Sequence, residues 1–255
     1  MCYEPNDRPP YPPISGGAAD GKDIVITAQD GNQFAAYIAY AAQPNGPQIL
    51  IYPDVRGLHQ FYKELALRFA EVGVRALAID YFGRTAGLTP RDDSFEYMPH
   101  VEKMTMPTFL TDVTAALAYL RGLSTSADRP TFIVGFCRGG TLTLHTGAEA
   151  FDLAGLIPFY AGLSRPVAGA QGSTLEQVAK IRYPVLGLFG GADPGIPASD
   201  IDQLDKQLDT ASVPHHIIAY PGTPHSFFDR KYAEYADASA DAWTRMLNFI
   251  NTRKL

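Results

Sequence analysis

Residues 131–140 read TFIVGFCRGG, an apolar run that ends in a cysteine set among glycines. The run is typical of a buried strand, and Cys137 stands midway between Gly135 and Gly139. This is the spacing of a nucleophile elbow, in which a sharp strand-to-helix turn exposes the reactive side chain. Such a turn leaves room only for small residues two positions before and two after the nucleophile. The stretch therefore predicts a catalytic thiol, with a buried core cysteine as the alternative.

Outward from this stretch, short apolar runs alternate with segments of helical periodicity. Residues 23–40 read as two alternating strands around a turn at Asp30 and Gly31. Further strands are predicted at 48–53, 74–80, 153–160, 184–190 and 215–222, with amphipathic helices between them. Strands without internal polar residues, linked by helices, predict an α/β fold with a mostly parallel sheet covered on both faces.

The composition of the chain narrows the class of protein. The 255 residues, 46% of them hydrophobic, are enough to bury the core of one α/β domain. A net charge of −6 with scattered Lys and Arg argues against a nucleic-acid partner. Two cysteines, Cys2 and Cys137, offer no disulfide framework. Because no apolar run has the length of a membrane span and no signal peptide is recognisable, we expect a cytoplasmic protein without a membrane partner.

The domain organisation follows from where proline and glycine accumulate. Residues 1–20 form a proline-rich segment, which we expect to lie along the surface or to be mobile. Residues 21–255 contain no internal repeat and no linker, so they are predicted to form a single domain. The sequence leaves the oligomeric state open.

An acid and a histidine follow the nucleophile in the order that this type of site requires. Asp193 comes after the strand at 184–190, in GADP, and His225 comes after the strand at 215–222, in TPHSF. We expect His225 to take the thiol proton and Asp193 to orient the imidazole. The alternatives are a turn aspartate and a loop histidine without a role. His59, next to Gly57, is a second histidine that we expect near the pocket.

The same residue types do not predict a metal site. Cys137, Asp193 and His225 are ligand types, but the sequence contains no paired spacing such as H-x-x-x-H or C-x-x-C. We therefore expect no catalytic metal.

With these residues in view, the chain resembles the dienelactone hydrolase family. The resemblance covers most of the sequence and rests on four segments: GFCRGG, GADP, PHSF and PDVRGLH. It implies the α/β-hydrolase fold, with a mostly parallel central sheet of about eight strands and helices on both faces. It also implies hydrolysis of small lactones or activated esters through a covalent thioester, without a cofactor or a metal.

The resemblance implies further site residues. The backbone N–H groups of Val55 and Arg138 match the family's oxyanion hole, and Asp54 matches a glutamate that interacts with the resting thiol. Arg84 and Ser226 match residues that grip a substrate carboxylate, so a carboxylate-bearing substrate is expected. The alternatives are a turn-capping role for Asp54 and a solvated side chain for Arg84.

Two points stay open at the level of sequence. Residues 85–107 form a long connection, which either caps the pocket or is disordered. A general carboxylesterase, a thioesterase, an acyltransferase and a non-catalytic small-ligand binder are alternative functions on the same fold.

Overall fold

The computed structural model describes residue 9 and residues 19–42, 46–123, 129–229 and 231–255. Most of the proline-rich segment predicted over 1–20, including Cys2, lies outside the described residues. The first strand begins at Ala19, two residues before the predicted start of the domain.

The centre of the molecule is one eight-stranded sheet. Its strands are β1 (Ala19–Thr27), β2 (Gln33–Ala41), β3 (Gln48–Tyr52), β4 (Arg75–Ile79), β5 (Thr131–Phe136), β6 (Gly155–Phe159), β7 (Val185–Gly190) and β8 (His215–Tyr220). The spatial order is β1-β2-β4-β3-β5-β6-β7-β8. The β1–β2 and β2–β4 pairs are antiparallel and all other pairs are parallel. The predicted, mostly parallel sheet is confirmed.

Helices connect the parallel strands, as crossovers between parallel neighbours require. They are α1 (Gln60–Glu71), α2 (Gly83–Ala86), α3 (Met98–Lys103), α4 (Met106–Gly122), α5 (Arg138–Thr146), α6 (Thr174–Gln177), α7 (Ala198–Thr210) and α8 (Ala236–Thr252), with a short 3₁₀ turn at Val178–Lys180. Every residue of β3 to β7 is buried, so both faces of the central sheet are covered. Among the described residues, none of the helices combines the length and apolar character that a membrane crossing needs.

Glycines at the end of β5 allow three backbone segments to meet. A Cβ added to Gly135 would overlap with the carbonyl oxygen of Gly139, and one added to Gly139 would overlap with the carbonyl oxygens of Tyr52 and Pro53. The start of α5 therefore packs directly on the ends of β5 and β3. This contact places the turn at Cys137, between β5 and α5, beside the loop that follows β3.

We expect Gly139→Ala to destabilise the protein by about 3 kcal/mol, because the new methyl group has only backbone atoms to displace. Gly122→Ala is the matched control, since an added Cβ there has nothing within 4 Å. It should be neutral or stabilise slightly, as glycine-to-alanine changes in helices do. Urea unfolding of both variants measures the difference. Equal stabilities would show that the close approach at Gly139 is not a constraint.

Candidate active site

Cys137 occupies a strained turn between β5 and α5. Its φ of 55° and ψ of −112° lie in a region that residues with a side chain rarely adopt. Its N–H donates to the carbonyl of Phe159 at the end of β6, with an N···O distance of 3.1 Å. The thiol is partly exposed and not in a disulfide. The strained conformation and the exposure are those expected of a nucleophile, and a fully buried core cysteine is not what the structure shows.

The structure pairs His225 with Asp193, as predicted. Nδ1 of His225 lies 2.5 Å from Oδ2 of Asp193. The other carboxylate oxygen, Oδ1, accepts a hydrogen bond of 2.8 Å from the N–H of Gly195. With both oxygens held and the carboxylate buried, Asp193 fixes the rotation of the imidazole. Nδ1 of the ring is thereby the nitrogen that the carboxylate engages.

Backbone hydrogen bonds join the two loops that carry this pair. The N–H of Ala192 donates to the carbonyl of Thr223 at 2.8 Å, and the N–H of Gly191 donates to Tyr220 at 2.8 Å. Because β7 and β8 are parallel neighbours, their carboxyl ends meet at the same edge of the sheet. The Asp193–His225 contact is therefore set by strand pairing.

Tyr160 links this pair to the cysteine, and no sequence signal singled it out. Its ring centroid lies 4.9 Å from that of His225, and it directly follows Phe159, the acceptor for Cys137. The ring is fully buried, and its hydroxyl donates to Oδ2 of Asp229 at 2.6 Å. Consecutive residues at the carboxyl end of β6 thus contact the cysteine and the histidine.

Two backbone N–H groups are available beside Cys137. Arg138 is the first residue of α5, where N–H groups have no partner within the helix. The N–H of Val55 has no acceptor in the part of the chain that the structure describes. Val55 lies in a turn in which Gly57 N–H donates to the carbonyl of Asp54 at 3.1 Å. The predicted oxyanion-hole residues thus have unpaired donors, and their role stays a prediction.

Asp54 does not make the predicted contact with the thiol. Its Oδ1 accepts a hydrogen bond of 2.9 Å from the N–H of Arg56 and lies 3.7 Å from Nε2 of His59. Among the described residues, Oδ2 is buried without a hydrogen-bond partner. A carboxylate on so short a side chain folds back onto its own turn instead of reaching Cys137. The turn-capping alternative is the one that the structure shows.

Arg84 is not available to grip a substrate. Its Nε and Nη2 donate to the two carboxylate oxygens of Asp112 at 2.9 and 2.8 Å. Its Nη1 and Nη2 also donate to Asp30 at 2.7 and 3.0 Å. A guanidinium held by two carboxylates has no net charge left for a third anion. The prediction that Arg84 binds a substrate carboxylate is therefore wrong, and so is the solvated alternative.

Ser226 builds the turn that follows the histidine. It is buried with a φ of 62°, and its carbonyl accepts hydrogen bonds from the N–H groups of Asp229 and Lys231. Its position directly after His225 keeps it next to the site. Substrate contact by Ser226 stays a prediction.

The described residues supply no partner for the charge of the Arg138 side chain. Its Nε is buried and makes no hydrogen bond, and in the described part of the chain the guanidinium forms no ion pair. It lies near enough to Tyr81 and Cys137 to interact electrostatically with both. Burial lowers the pKa of Arg138, and these two neighbours oppose the shift.

Residues 85–107 are packed against the domain rather than disordered. Arg91 forms a buried ion pair with Asp80 at the end of β4, with Nη2 2.6 Å from Oδ2. The segment walls a cleft of about 500 Å³ that His59 also lines. Cys137, Asp193 and His225 are not among the residues that line this cleft. Its role as a cap over the site stays a prediction.

A cluster of metal-ligand types lies away from this edge. Asp205, Asp209 and His215 bring one ligand atom each within 4.8 Å of one another. His215 begins β8, at the opposite end of that strand from the loop of His225. The cluster is therefore separate from the cysteine, and its atoms pair with each other, with His215 Nε2 3.2 Å from Asp205.

Comparison with known proteins shows the family of the chain. A family model described as the dienelactone hydrolase family matches residues 34–254. A relative from Methylorubrum extorquens is 28% identical over 232 residues, which are 89% of this chain and 79% of the relative. One from Synechocystis sp. is 28% identical over 243 residues, covering 91% and 98%. Both carry the name "Putative carboxymethylenebutenolidase".

Solved structures share the fold. A crystal structure described as a "Putative Dienelactone Hydrolase" from Klebsiella pneumoniae superposes with a TM-score of 0.80 at 24% identity, covering 91% of this chain and 98% of the other. A structure titled "m3DLH" has a TM-score of 0.71 at 27% identity, covering 92% and 99%. The α/β-hydrolase fold implied by the sequence resemblance is confirmed.

Behind the site, His145 on α5 provides a test of the local electrostatics. Burial, and then the charge of Arg138, lowers the pKa of His145 from 6.5 to about 4. Between these two values the unfolded chain binds a proton that the folded protein does not, so stability falls as the pH falls. From pH 7 to pH 4.5 this loss should be on the order of 2 kcal/mol.

His145→Gln removes the titration while leaving a hydrogen-bonding group for Thr174, whose Oγ1 lies 3.3 Å from the imidazole Nε2. Urea unfolding of both proteins at the two pH values should show a shallower pH dependence in the variant. An identical pH dependence would contradict the buried, neutral state of His145.

Proposed function

Since the chain belongs to the dienelactone hydrolase family, a family of hydrolases, we propose that it hydrolyses small lactones or activated esters with Cys137 as the nucleophile. The observation that carries the proposal is the Asp193–His225 pair at the same edge of the sheet as the strained, partly exposed Cys137. Nucleophile, acid and histidine follow one another along the chain in the order typical of α/β-hydrolases.

The first half of the reaction forms a thioester. Nε2 of His225 takes the proton of the Cys137 thiol, and the sulfur adds to the substrate carbonyl carbon. The carbonyl π pair moves onto its oxygen, and the N–H groups of Val55 and Arg138 stabilise the resulting oxyanion. The carbon–oxygen bond of the ester then breaks, and the departing alkoxide takes the proton from His225. Asp193 stabilises the imidazolium throughout.

The second half releases the acid. His225 takes a proton from water as the water oxygen adds to the thioester carbonyl, and the same two N–H groups hold the second oxyanion. The carbon–sulfur bond breaks, and the thiolate recovers its proton from His225. For a lactone, the alcohol and the acid leave together as one hydroxy acid. The free enzyme is restored without a cofactor.

A substrate that carries a carboxylate fits the site better than a neutral one, because of Arg138. This guanidinium lies next to the nucleophile, is partly desolvated and has no partner among the described residues. A partly buried cation without a counter-ion is costly, and a substrate anion would offset that cost. Arg138 therefore takes the role that sequence reasoning gave to Arg84.

Replacing the nucleophile should abolish hydrolysis. We expect Cys137→Ala to lower kcat for an activated aryl ester by about a thousandfold or more, because no covalent step remains. His225→Ala should cost nearly as much, and the double variant should be no slower than Cys137→Ala, since members of one catalytic unit are non-additive. Steady-state kinetics measures all three. A Cys137→Ala enzyme that keeps more than about a tenth of kcat would refute the proposal.

Replacing Arg138 should remove a preference for anionic substrates. We expect Arg138→Met, which keeps the aliphatic packing, to lower kcat/KM for a carboxylate-bearing lactone relative to its methyl ester by about 10- to 100-fold. Arg84→Lys is the control, since it keeps a charge for Asp112, and it should leave the ratio unchanged. If instead Arg84→Lys changes the ratio and Arg138→Met does not, the assignment to Arg138 is wrong.

A further inference from the structure

Two buried phenols hold the backbone of Asp54. The N–H of Asp54 donates to the hydroxyl of Tyr62 on α1 at 2.8 Å, and the hydroxyl of Tyr81 donates to the carbonyl of Asp54. Both tyrosines are almost fully buried. The Tyr81 ring packs edge-on against Phe82, with ring centroids 4.6 Å apart. A side chain fixed in this way holds the direction of the carbonyl to which it donates.

The carbonyl of Asp54 and the N–H of Val55 belong to the same peptide unit. The described residues contain no cis peptide bond, and a trans peptide is planar with its C=O and N–H pointing in opposite directions. Fixing the carbonyl therefore fixes the direction of the N–H. A hydrogen bond accepted by the carbonyl also polarises the unit and makes its N–H a stronger donor. Tyr81 thus acts on Val55 through one amide group.

We infer that Tyr81 is a positioning residue that aims and strengthens the Val55 N–H toward the oxyanion formed on the substrate. The inference rests on the proposed function. Tyr81 contacts the peptide unit of Val55, and Tyr62 contacts the preceding unit, between Pro53 and Asp54. The two phenols are alike in burial and in the residue they contact, yet they differ in the amide they control.

Tyr81 suits this role because it stays a donor. Burial, followed by the nearby charge of Asp54, raises the pKa of Tyr81 well above its ordinary value. The phenol is therefore protonated at any pH at which the hydrolase would work, and its proton points at the carbonyl oxygen of Asp54. A role as general base is excluded by the same protonation.

The experiment compares Tyr81→Phe with Tyr62→Phe in the full chain. Each variant loses one hydroxyl and one hydrogen bond to Asp54. We expect Tyr81→Phe to lower kcat for an activated aryl ester about 5- to 30-fold, with KM changed less than about twofold, because the lost effect exists only when the oxyanion forms. Tyr62→Phe should keep kcat within about threefold of the wild type.

A trifluoromethyl ketone supplies the second measurement. The Cys137 sulfur adds to its carbonyl carbon, the π pair becomes an oxyanion, and His225 keeps the thiol proton. Tyr81→Phe should weaken this inhibitor by the same factor as kcat, while the affinity for the carboxylic acid product stays unchanged. Inhibition constants and product inhibition measure the two affinities.

The possible results distinguish a failure of the Tyr81 inference from a failure of the proposed hydrolase function. An active wild type with an unaffected Tyr81→Phe variant, or with equal losses in both variants, overturns the inference and leaves the function standing. A wild type that neither hydrolyses esters nor binds the ketone overturns the proposed function, and the inference with it.

Discussion

The close approach of three backbone segments at Gly135 and Gly139 is the contact on which the site depends. It lets the start of α5 rest on the ends of β5 and β3, where side chains would keep them apart. The strain at Cys137, with its φ of 55°, follows from that approach. Because the loop after β3 is held against the helix start, Val55 and Arg138 lie on two segments that meet at this contact. One steric constraint thus sets both the nucleophile and the candidate oxyanion donors.

The arginines near the carboxyl ends of the strands differ in whether a carboxylate of the protein neutralises them. Arg84 is neutralised by Asp30 and Asp112, and Arg91 is locked onto Asp80 in a buried pair that anchors residues 85–107. Arg138 has no such partner in the described chain. Because a desolvated cation gains most from a counter-ion, the residue that the protein leaves unpaired is the one suited to a ligand. The ion pairs therefore favour Arg138 over Arg84 as the residue that would bind a substrate carboxylate.

Hydrogen bonds behind the site hold its carboxylate and its backbone amide groups in fixed orientations. Asp193 is fixed by the N–H of Gly195 as well as by His225, and the peptide unit between Asp54 and Val55 is fixed by Tyr81 at the carbonyl of Asp54. Groups held in this way need no reorganisation when charge develops on a substrate. Tyr81 is buried, so it is also part of the core that supports the sheet.

The sequence by itself determined the alternation of strands and helices, the elbow around Cys137 and the order of Asp193 and His225, because these depend on local period, small residues and chain order. It did not determine the partners of Arg84, Asp54 and Arg138, or the presence of Tyr81 and Tyr160 at the site. A side chain's partner depends on which segments the sheet order brings together, and Arg84 meets Asp112 across 28 residues and Asp30 across 54. Only the tertiary structure decides such pairings, because the free energy of an ion pair or a buried hydrogen bond depends on distance and burial in space, and neither is written in the local sequence.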